Sequence, residues 1–228
     1  MRNVIRHKDD IMAASGDYSA RLYIKAIQQD SVTRKRDRAR IDTTLFDSLN
    51  VDLQGMAMTE VVIDLDYESD QRLKEKRVGV KKHGEANNLF YLSATEGNFN
   101  FYNNLVKVPS ISSIPFLSPV SYSGLLAYKF KTLKRERKGN HTIFTISVKP
   151  RQLSNATVEG EITISDSTWS ILHTRLVFPS YHLPEYDFFE VEQQYGFVDG
   201  KAWMLKRQQF NYYSKSNREK LSGQTLVV

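Results

Sequence analysis

The chain has 228 residues, of which 40% are hydrophobic and 25% charged, so it can bury a sizeable core and lacks the composition of a disordered chain. It contains no cysteine, which excludes disulfides and thiolate metal sites. The formal net charge of +6 leaves an anionic partner open, whether nucleic acid, an acidic lipid surface or an acidic protein. There is no run of about 18 apolar residues, so no membrane-spanning helix is predicted.

The N-terminal segment predicts a helix that leads into a long strand. Within residues 3–14, the apolar Val4, Ile11 and Met12 lie roughly along one side of a helix. Apolar and polar residues then alternate from Tyr18 to Ala26. This period-two pattern is typical of a strand with one buried face.

Two further strands are predicted before the pattern changes. Residues 42–53 are ambiguous between a short helix and a loop. Apolar and acidic residues alternate from Val61 to Tyr67, which predicts a second strand. A third strand is predicted through Leu73 to Lys81.

Residues 83–121 interrupt the strands with an irregular insert. The segment is rich in asparagine and contains three prolines: Pro109, Pro115 and Pro119. Four side chains within it follow helical spacing: Phe99, Tyr102, Leu105 and Val106. We therefore predict a short aromatic helix over residues 98–108, followed by a proline-punctuated loop. The insert is too apolar for a simple linker and should lie against an apolar surface.

From Ser123 onward the chain is predicted to form a meander of strands separated by short turns. Asp199-Gly200 is the strongest hairpin signal. Connections this short require antiparallel neighbours. The predicted strands include Trp169 to Phe178, Phe189 to Phe197, Ala202 to Tyr213 and Leu221 to Val228.

These elements predict a mainly β (α+β) fold of eight to ten strands. We expect a strongly curved antiparallel sheet or half-open barrel, with an N-terminal helix and a short helical plug. No segment has the composition of a linker that would divide the chain into two domains. Residues 1–228 are therefore predicted to form one domain, with 83–121 as its insert.

The sequence contains no pattern that indicates catalysis or a cofactor. The five histidines lack metal-ligand spacing, so no metal site is predicted. Two pairs of carboxylates each occupy one face of a strand: Glu190 with Glu192, and Asp64 with Asp66. Such a pair could in principle act as general acid and general base. Outward-facing charges on an amphipathic strand explain them more simply. No Gly-x-Ser-x-Gly, Walker-type or dinucleotide-binding motif is present. We predict no enzyme and no catalytic residue.

The basic residues fall into three runs, at residues 34–40, 74–82 and 131–138. Each run contains or adjoins acidic residues, which weakens the case for a continuous phosphate-binding track. The plainer interpretation is that the runs are solvated strand ends and loops.

The insert admits two interpretations. It could be a plug that fills the open end of the sheet, which we favour because its aromatic side chains would be costly to expose. Alternatively, it could be a movable cover over a pocket for a lipid or an extended peptide. Under the second interpretation the candidate ligand-binding residues are Phe99, Tyr102, Leu105, Phe116 and Leu117.

Three stretches carry a resemblance to a known family. They are NFYNNLVKVPSISSIPFLSPVSYSGLLAYKF at residues 100–130, STWSI at 167–171, and VEQQYGFVDGKAWMLKRQQF at 191–210. They resemble the middle region of a Bacteroidetes family of outer-membrane proteins of unknown function. The opening YSARLYIKA is similar to that family's first strand.

In the family this region lies between a carboxypeptidase-regulatory-like domain and a C-terminal membrane β-barrel. The resemblance implies a fragment on the periplasmic side of the outer membrane. It also implies neighbouring domains of the same protein as partners, and membrane contact only through the missing barrel. Nucleic acid is not expected. The order of elements is also similar to the half-open barrel of periplasmic lipoprotein carriers (LolA-like).

Three functions follow as hypotheses. The first is a binding domain that holds a lipid, lipoprotein or polypeptide client on a curved sheet. The second is a docking module without ligand. The third is a domain that binds an anionic surface through the basic runs.

Overall fold

An antiparallel sheet of ten strands organises the described part of the chain. The computed structural model describes residues 1–30, 56–68, 72–84, 92–94, 99–152, 156–214 and 221–228. Helix α1 (Arg2–Ala13) precedes the sheet, and helix α2 (Tyr122–Ala127) and a 3-10 turn (Ser180–His182) lie within the later chain. The strands are β1 (Tyr18–Asp30), β2 (Met56–Tyr67), β3 (Leu73–His83), β4 (Leu105–Val106), β5 (Phe116–Leu117), β6 (Tyr128–Lys138), β7 (His141–Pro150), β8 (Glu159–Ser165), β9 (Ile171–Val177), β10 (Tyr186–Val198), β11 (Ala202–Ser214) and β12 (Leu221–Val227).

Two meanders are joined into this one sheet by its terminal strands. The order is β3-β2-β1-β12-β11-β10-β9-β8-β7-β6, so β1 pairs with β12 and every other neighbour is consecutive in the chain. The edge strands β3 and β6 do not pair with each other, so the sheet is curved but not closed into a barrel. The predicted fold class is confirmed. The predicted helix, first three strands and C-terminal meander are confirmed with small shifts of their ends.

The two faces of the sheet differ in polarity because each strand alternates. On β2, Val61, Ile63 and Leu65 are buried, while Glu60 and Asp64 point to the other side. We call the side with the buried apolar residues the inner face and the opposite side the outer face. Helix α1 and residues 99–120 cover the inner face, where the hydrophobic core lies.

Both edge strands are strongly basic and interrupted by a bulge. The predicted basic runs 74–82 and 131–138 lie on β3 and β6. An extra residue, Val78 in β3 and Leu133 in β6, disturbs the pairing with the neighbouring strand. Lysines and bulges on an edge discourage pairing with another chain. The run at 34–40 and the ambiguous segment 42–53 lie outside the described residues.

The predicted aromatic helix over residues 98–108 is wrong. From Phe99 onward the segment forms turns, and Leu105–Val106 pairs with Phe116–Leu117 as the two-stranded β4–β5 ribbon. The Asn100 side chain accepts a hydrogen bond from the backbone N–H of Tyr102, which favours a turn over a helix. The short helix of this region is instead α2, whose first turn is capped by the Ser121 hydroxyl.

Gly223 of β12 is required because a tyrosine ring lies over it. A Cβ at this position would lie 2.0 Å from Cζ of Tyr212, which is itself buried and stacked against Phe189. We expect Gly223→Ala to lower the free energy of unfolding by about 1–3 kcal/mol, since the ring cannot move without disturbing its neighbours. Urea denaturation measures the change.

Gly79→Ala in β3 is the matched control. The nearest atom to its added Cβ would be Val62 Cβ at 3.9 Å, and its backbone is not in the left-handed region. We expect little change in stability. Equal effects of the two substitutions would contradict the steric explanation.

Candidate functional site

Residues 99–120, which we call the plug, fill the inner face with aromatic side chains. The ring of Phe99 lies 5.6 Å from Phe178, 5.9 Å from Phe189 and 5.1 Å from Phe210, measured between centroids. Phe116 meets Phe178 edge to face at 4.7 Å. Such geometries are favourable beyond the burial of area. The plug therefore forms one aromatic cluster with β10, β11 and Phe178, the residue that follows β9.

Half of the residues of the plug are buried, and they include most of its apolar side chains. Each buried apolar side chain contributes about 1.5–3 kcal/mol relative to exposure. Displacing the whole plug would therefore be very costly unless another apolar group replaced it. Eight of its apolar side chains are at most 4% exposed: Phe99, Phe101, Tyr102, Val106, Val108, Ile111, Phe116 and Val120.

A buried glutamine of the sheet fastens the start of the plug. Gln193 of β10 is 1% exposed and donates from Nε2 to the Phe99 carbonyl at 2.8 Å and to Oε1 of Gln208 at 2.6 Å. Its Oε1 accepts from the hydroxyls of Tyr195 and Thr174. The polar atoms of Gln193 are thus satisfied inside an apolar region.

Two tyrosine hydroxyls bridge the plug and the sheet. Tyr128 of β6 donates to the Leu117 carbonyl and accepts from the Val158 N–H at 3.0 Å. Tyr102 of the plug accepts from the Ile171 N–H at 2.8 Å, at the start of β9. Burial raises the pKa of Tyr102 to about 12 and raises the pKa of Tyr128 as well.

Helix α1 contacts the plug through one buried cation. Lys8 is 6% exposed, and its Nζ donates to Oδ1 of Asn104 at 2.6 Å and to the Val120 carbonyl at 3.5 Å. A buried ammonium group requires such partners. The plug is thereby held between the N-terminal helix and the sheet.

The predicted site residues fall into three environments. Phe99, Tyr102 and Phe116 lie together in the core, Leu117 is half-buried in the β4–β5 ribbon, and Leu105 is 43% exposed. Leu105 therefore does not share the inner face with the three aromatic residues. Whether any of the five binds a ligand remains a prediction.

Sequence reasoning missed Phe101, Lys8, Tyr128 and Gln193, which complete the contacts of the plug. The one local signal was Gln193, a polar residue on the apolar face of a predicted strand. A polar side chain at such a position needs a buried hydrogen-bond partner.

The carboxylates of β10 lie on the outer face, as the alternation predicted. Glu190 accepts from Nε of Arg175 at 2.9 Å and from Nδ2 of Asn211 at 3.0 Å. Glu192 lies 2.9 Å from His173 Nε2, and this hydrogen bond lowers the pKa of its carboxyl group. Within the described ranges, no three His, Asp or Glu residues are grouped to hold a metal ion.

Replacing Gln193 tests whether the plug depends on this side chain. We expect Gln193→Leu to lower the free energy of unfolding by about 1–3 kcal/mol, because the Phe99 carbonyl would lose its donor in an apolar region. Gln194→Leu, at the exposed neighbouring position, is the control and should change stability little. A stable Gln193→Leu protein with unchanged hydrogen exchange around Phe99 would contradict this role.

The buried phenols predict a loss of stability in alkali. Because the folded state raises the pKa of Tyr102 from 10.0 to about 12, its contribution is fully present below pH 10 and is lost as the pH rises toward 12. Urea unfolding at a series of pH values from 8 to 12 should show this decline. In Tyr102→Phe the decline should be smaller. A slope unaffected by the substitution would contradict the assignment.

None of the helices in the described ranges is long and apolar enough to cross a membrane.

Comparison with known proteins identifies a family but gives no function. No curated protein matches the chain. Three solved structures align over nearly its whole length at low similarity. The first is a domain assigned to outer membrane lipoprotein sorting from Vibrio parahaemolyticus (10% identity, 99% of this chain and 88% of that chain, TM-score 0.36). The others are a LolA superfamily protein from Nitrosomonas europaea (9%, 100% and 90%, TM-score 0.32) and a DUF1329 family protein from Desulfovibrio piger (10%, 99% and 89%, TM-score 0.30).

At such low scores nothing about function follows from these likenesses. A family model, by contrast, matches residues 1–228. The chain belongs to that family, which is described as a family of unknown function (DUF5686).

Proposed function

We propose that this chain is a non-catalytic scaffolding domain that docks to neighbouring domains or to a partner protein. The observation that carries the proposal is the packing of Phe99, whose ring contacts two phenylalanines of the sheet and Phe178 just after β9, while its carbonyl is bound by Gln193. The plug thus occupies the place where a client would otherwise bind. Recognition then falls to the outer surfaces of the domain.

We place the domain on the periplasmic side of the outer membrane, within a larger protein. This placement rests on the sequence resemblance of residues 100–130, 167–171 and 191–210 to the middle region of outer-membrane proteins. In that setting a rigid β domain would connect a preceding soluble domain to a membrane barrel. A plugged inner face suits such a connector because it keeps the sheet rigid without a ligand.

The second candidate is a carrier that holds a lipid, a lipoprotein acyl chain or a polypeptide client. One observation favours it, since the surface beneath the plug is apolar and aromatic throughout, as at Phe178, Phe189 and Phe210. A client could occupy this surface if the plug moved away. The two candidates therefore differ in whether the plug is displaced.

A disulfide between the plug and the segment that precedes β8 separates the two candidates. Leu117 forms a parallel bridge with Thr157, and its N–H donates to the Ala156 carbonyl at 2.8 Å. Cysteines at such paired positions lie within reach of a disulfide, and the chain contains no other cysteine. Leu117→Cys/Thr157→Cys should fix the plug when oxidised and release it when reduced.

We expect neither the wild-type protein nor the oxidised variant to bind a fluorescent fatty acid, because the inner face is already filled. The control is Leu105→Cys/Leu117→Cys, which joins β4 to β5 within the plug and leaves the sheet untouched. Fluorescence titration and native mass spectrometry measure binding. The opposite result is that the wild type and the control bind the fatty acid and only oxidised Leu117→Cys/Thr157→Cys fails to bind it. In that case the carrier candidate is correct and the docking candidate is wrong.

A further inference from the structure

The outer face near β8 and β10 is acidic although the whole chain has a net charge of +6. The outward side chains of β8 include Glu159 and Glu161, and those of β10 include Glu190 and Glu192. The basic runs lie instead on the two edge strands. Arg175 of β9 lies between these two strands and pairs with Glu190, so on this part of the outer face four carboxylates surround one arginine.

Two carboxylates at the end of this surface lack the side-chain partners that Glu190 and Glu192 have. Glu190 and Glu192 are bound by Arg175 and His173. In the described part of the chain, Glu159 and Asp187 form neither a hydrogen bond nor an ion pair. Both are exposed, and both line the same cleft.

This cleft has apolar walls and a size suited to one long side chain. Its volume is about 250 Å³, and Pro179 and Tyr181 of the 3-10 segment lie along it. Phe188 lines it as well, and its ring lies 5.5 Å from that of Tyr213. Tyr181 is 55% exposed, and its ring lies 4.8 Å from that of His182, so it presents aromatic surface at the cleft.

We propose that the cleft binds an arginine side chain presented by a partner protein. A guanidinium group can stack on Tyr181 or Phe188 while it pairs with Glu159 and Asp187. Its three methylene groups match the walls formed by Pro179 and its neighbours. Lysine fits less well because its ammonium is a strongly hydrated point charge that does not stack as a plane. This inference rests on the proposed docking function.

The probes are the peptides acetyl-Ala-Arg-Ala-amide, acetyl-Ala-Lys-Ala-amide and acetyl-Ala-Glu-Ala-amide, titrated into the labelled full chain and followed by NMR. We expect the arginine peptide to shift the amide signals of Tyr181, Asp187 and Phe188 at millimolar concentration. The lysine peptide should bind at least threefold more weakly, and the glutamate peptide should cause no shift. Equal binding of the arginine and lysine peptides would contradict the stacking geometry.

Variants assign the binding to the cleft. Glu159→Gln/Asp187→Asn should weaken the arginine peptide by about fivefold to tenfold, since each exposed ion pair contributes modestly. Tyr181→Ala should weaken it by at least threefold. Glu136→Gln on β6, which removes an exposed carboxylate paired with Lys134 far from the cleft, is the control and should leave affinity unchanged. Unchanged affinity in the double variant would overturn the proposal.

Two further results separate this inference from its alternatives. A wild-type dimer that Glu159→Gln/Asp187→Asn converts to monomer in sedimentation would mean that the occupant is a second copy, and a foreign partner would be wrong. If the arginine peptide fails to bind while the inner face stays closed to fatty acid, the arginine site is wrong and the docking function stands. If fatty acid enters in a plug-dependent manner, the docking function itself fails.

Discussion

The structure depends on the burial of Phe99 and its neighbours against the inner face of an open sheet. Ten antiparallel strands that alternate in polarity produce one face that must be removed from water. In this fold β3 and β6 do not meet, so closure of the sheet cannot bury that face. Helix α1 and the plug cover it instead. The ring of Phe99 contacts β10, β11 and the residue that follows β9, so a short segment stabilises the centre of the sheet.

The buried polar side chains follow from the irregular backbone of the plug. A segment with little regular structure has carbonyl and N–H groups without partners, and in a core each of these is costly. Side chains of the surrounding elements supply the missing partners. Gln193 binds the Phe99 carbonyl, Tyr128 binds the Leu117 carbonyl, and the Ser118 hydroxyl within the plug binds the Phe101 carbonyl. The aromatic side chains of the plug can therefore be buried only because these polar side chains bind its backbone carbonyls.

Strand pattern, turn chemistry and the place of the insert could be predicted from the sequence because each is a local property. Alternation from Val61 to Tyr67 and the hairpin at Asp199-Gly200 required no knowledge of distant residues. The conformation of the plug was predicted wrongly because the spacing of its aromatic residues matches that of a helix by coincidence. Its actual conformation is set by an Asn100 turn and by pairing of β4 with β5.

The partners of the plug could not be predicted in the same way. Gln193 lies 94 residues from Phe99 in the chain, and no periodic pattern relates the two positions. The same holds for the outer cleft, which is assembled from the ends of several strands. No local pattern in the sequence marks Pro150, Glu159 or Pro179 as part of a site. Only the antiparallel order of the strands brings them together.

The inner face, the edge strands and the outer face of the sheet differ in whether a partner could bind to them. Under the proposed docking function the inner face serves stability alone, because eight buried side chains of the plug occupy it. The edge strands carry lysines and bulges, which oppose pairing with an added strand. The outer face is the remaining extended surface of the sheet. There Glu190 and Glu192 are bound by residues of neighbouring strands, whereas Glu159 and Asp187 line the cleft beside Tyr181. Under the proposed docking function, specific binding is therefore expected at that cleft, where aromatic surface lies beside the carboxylates of Glu159 and Asp187.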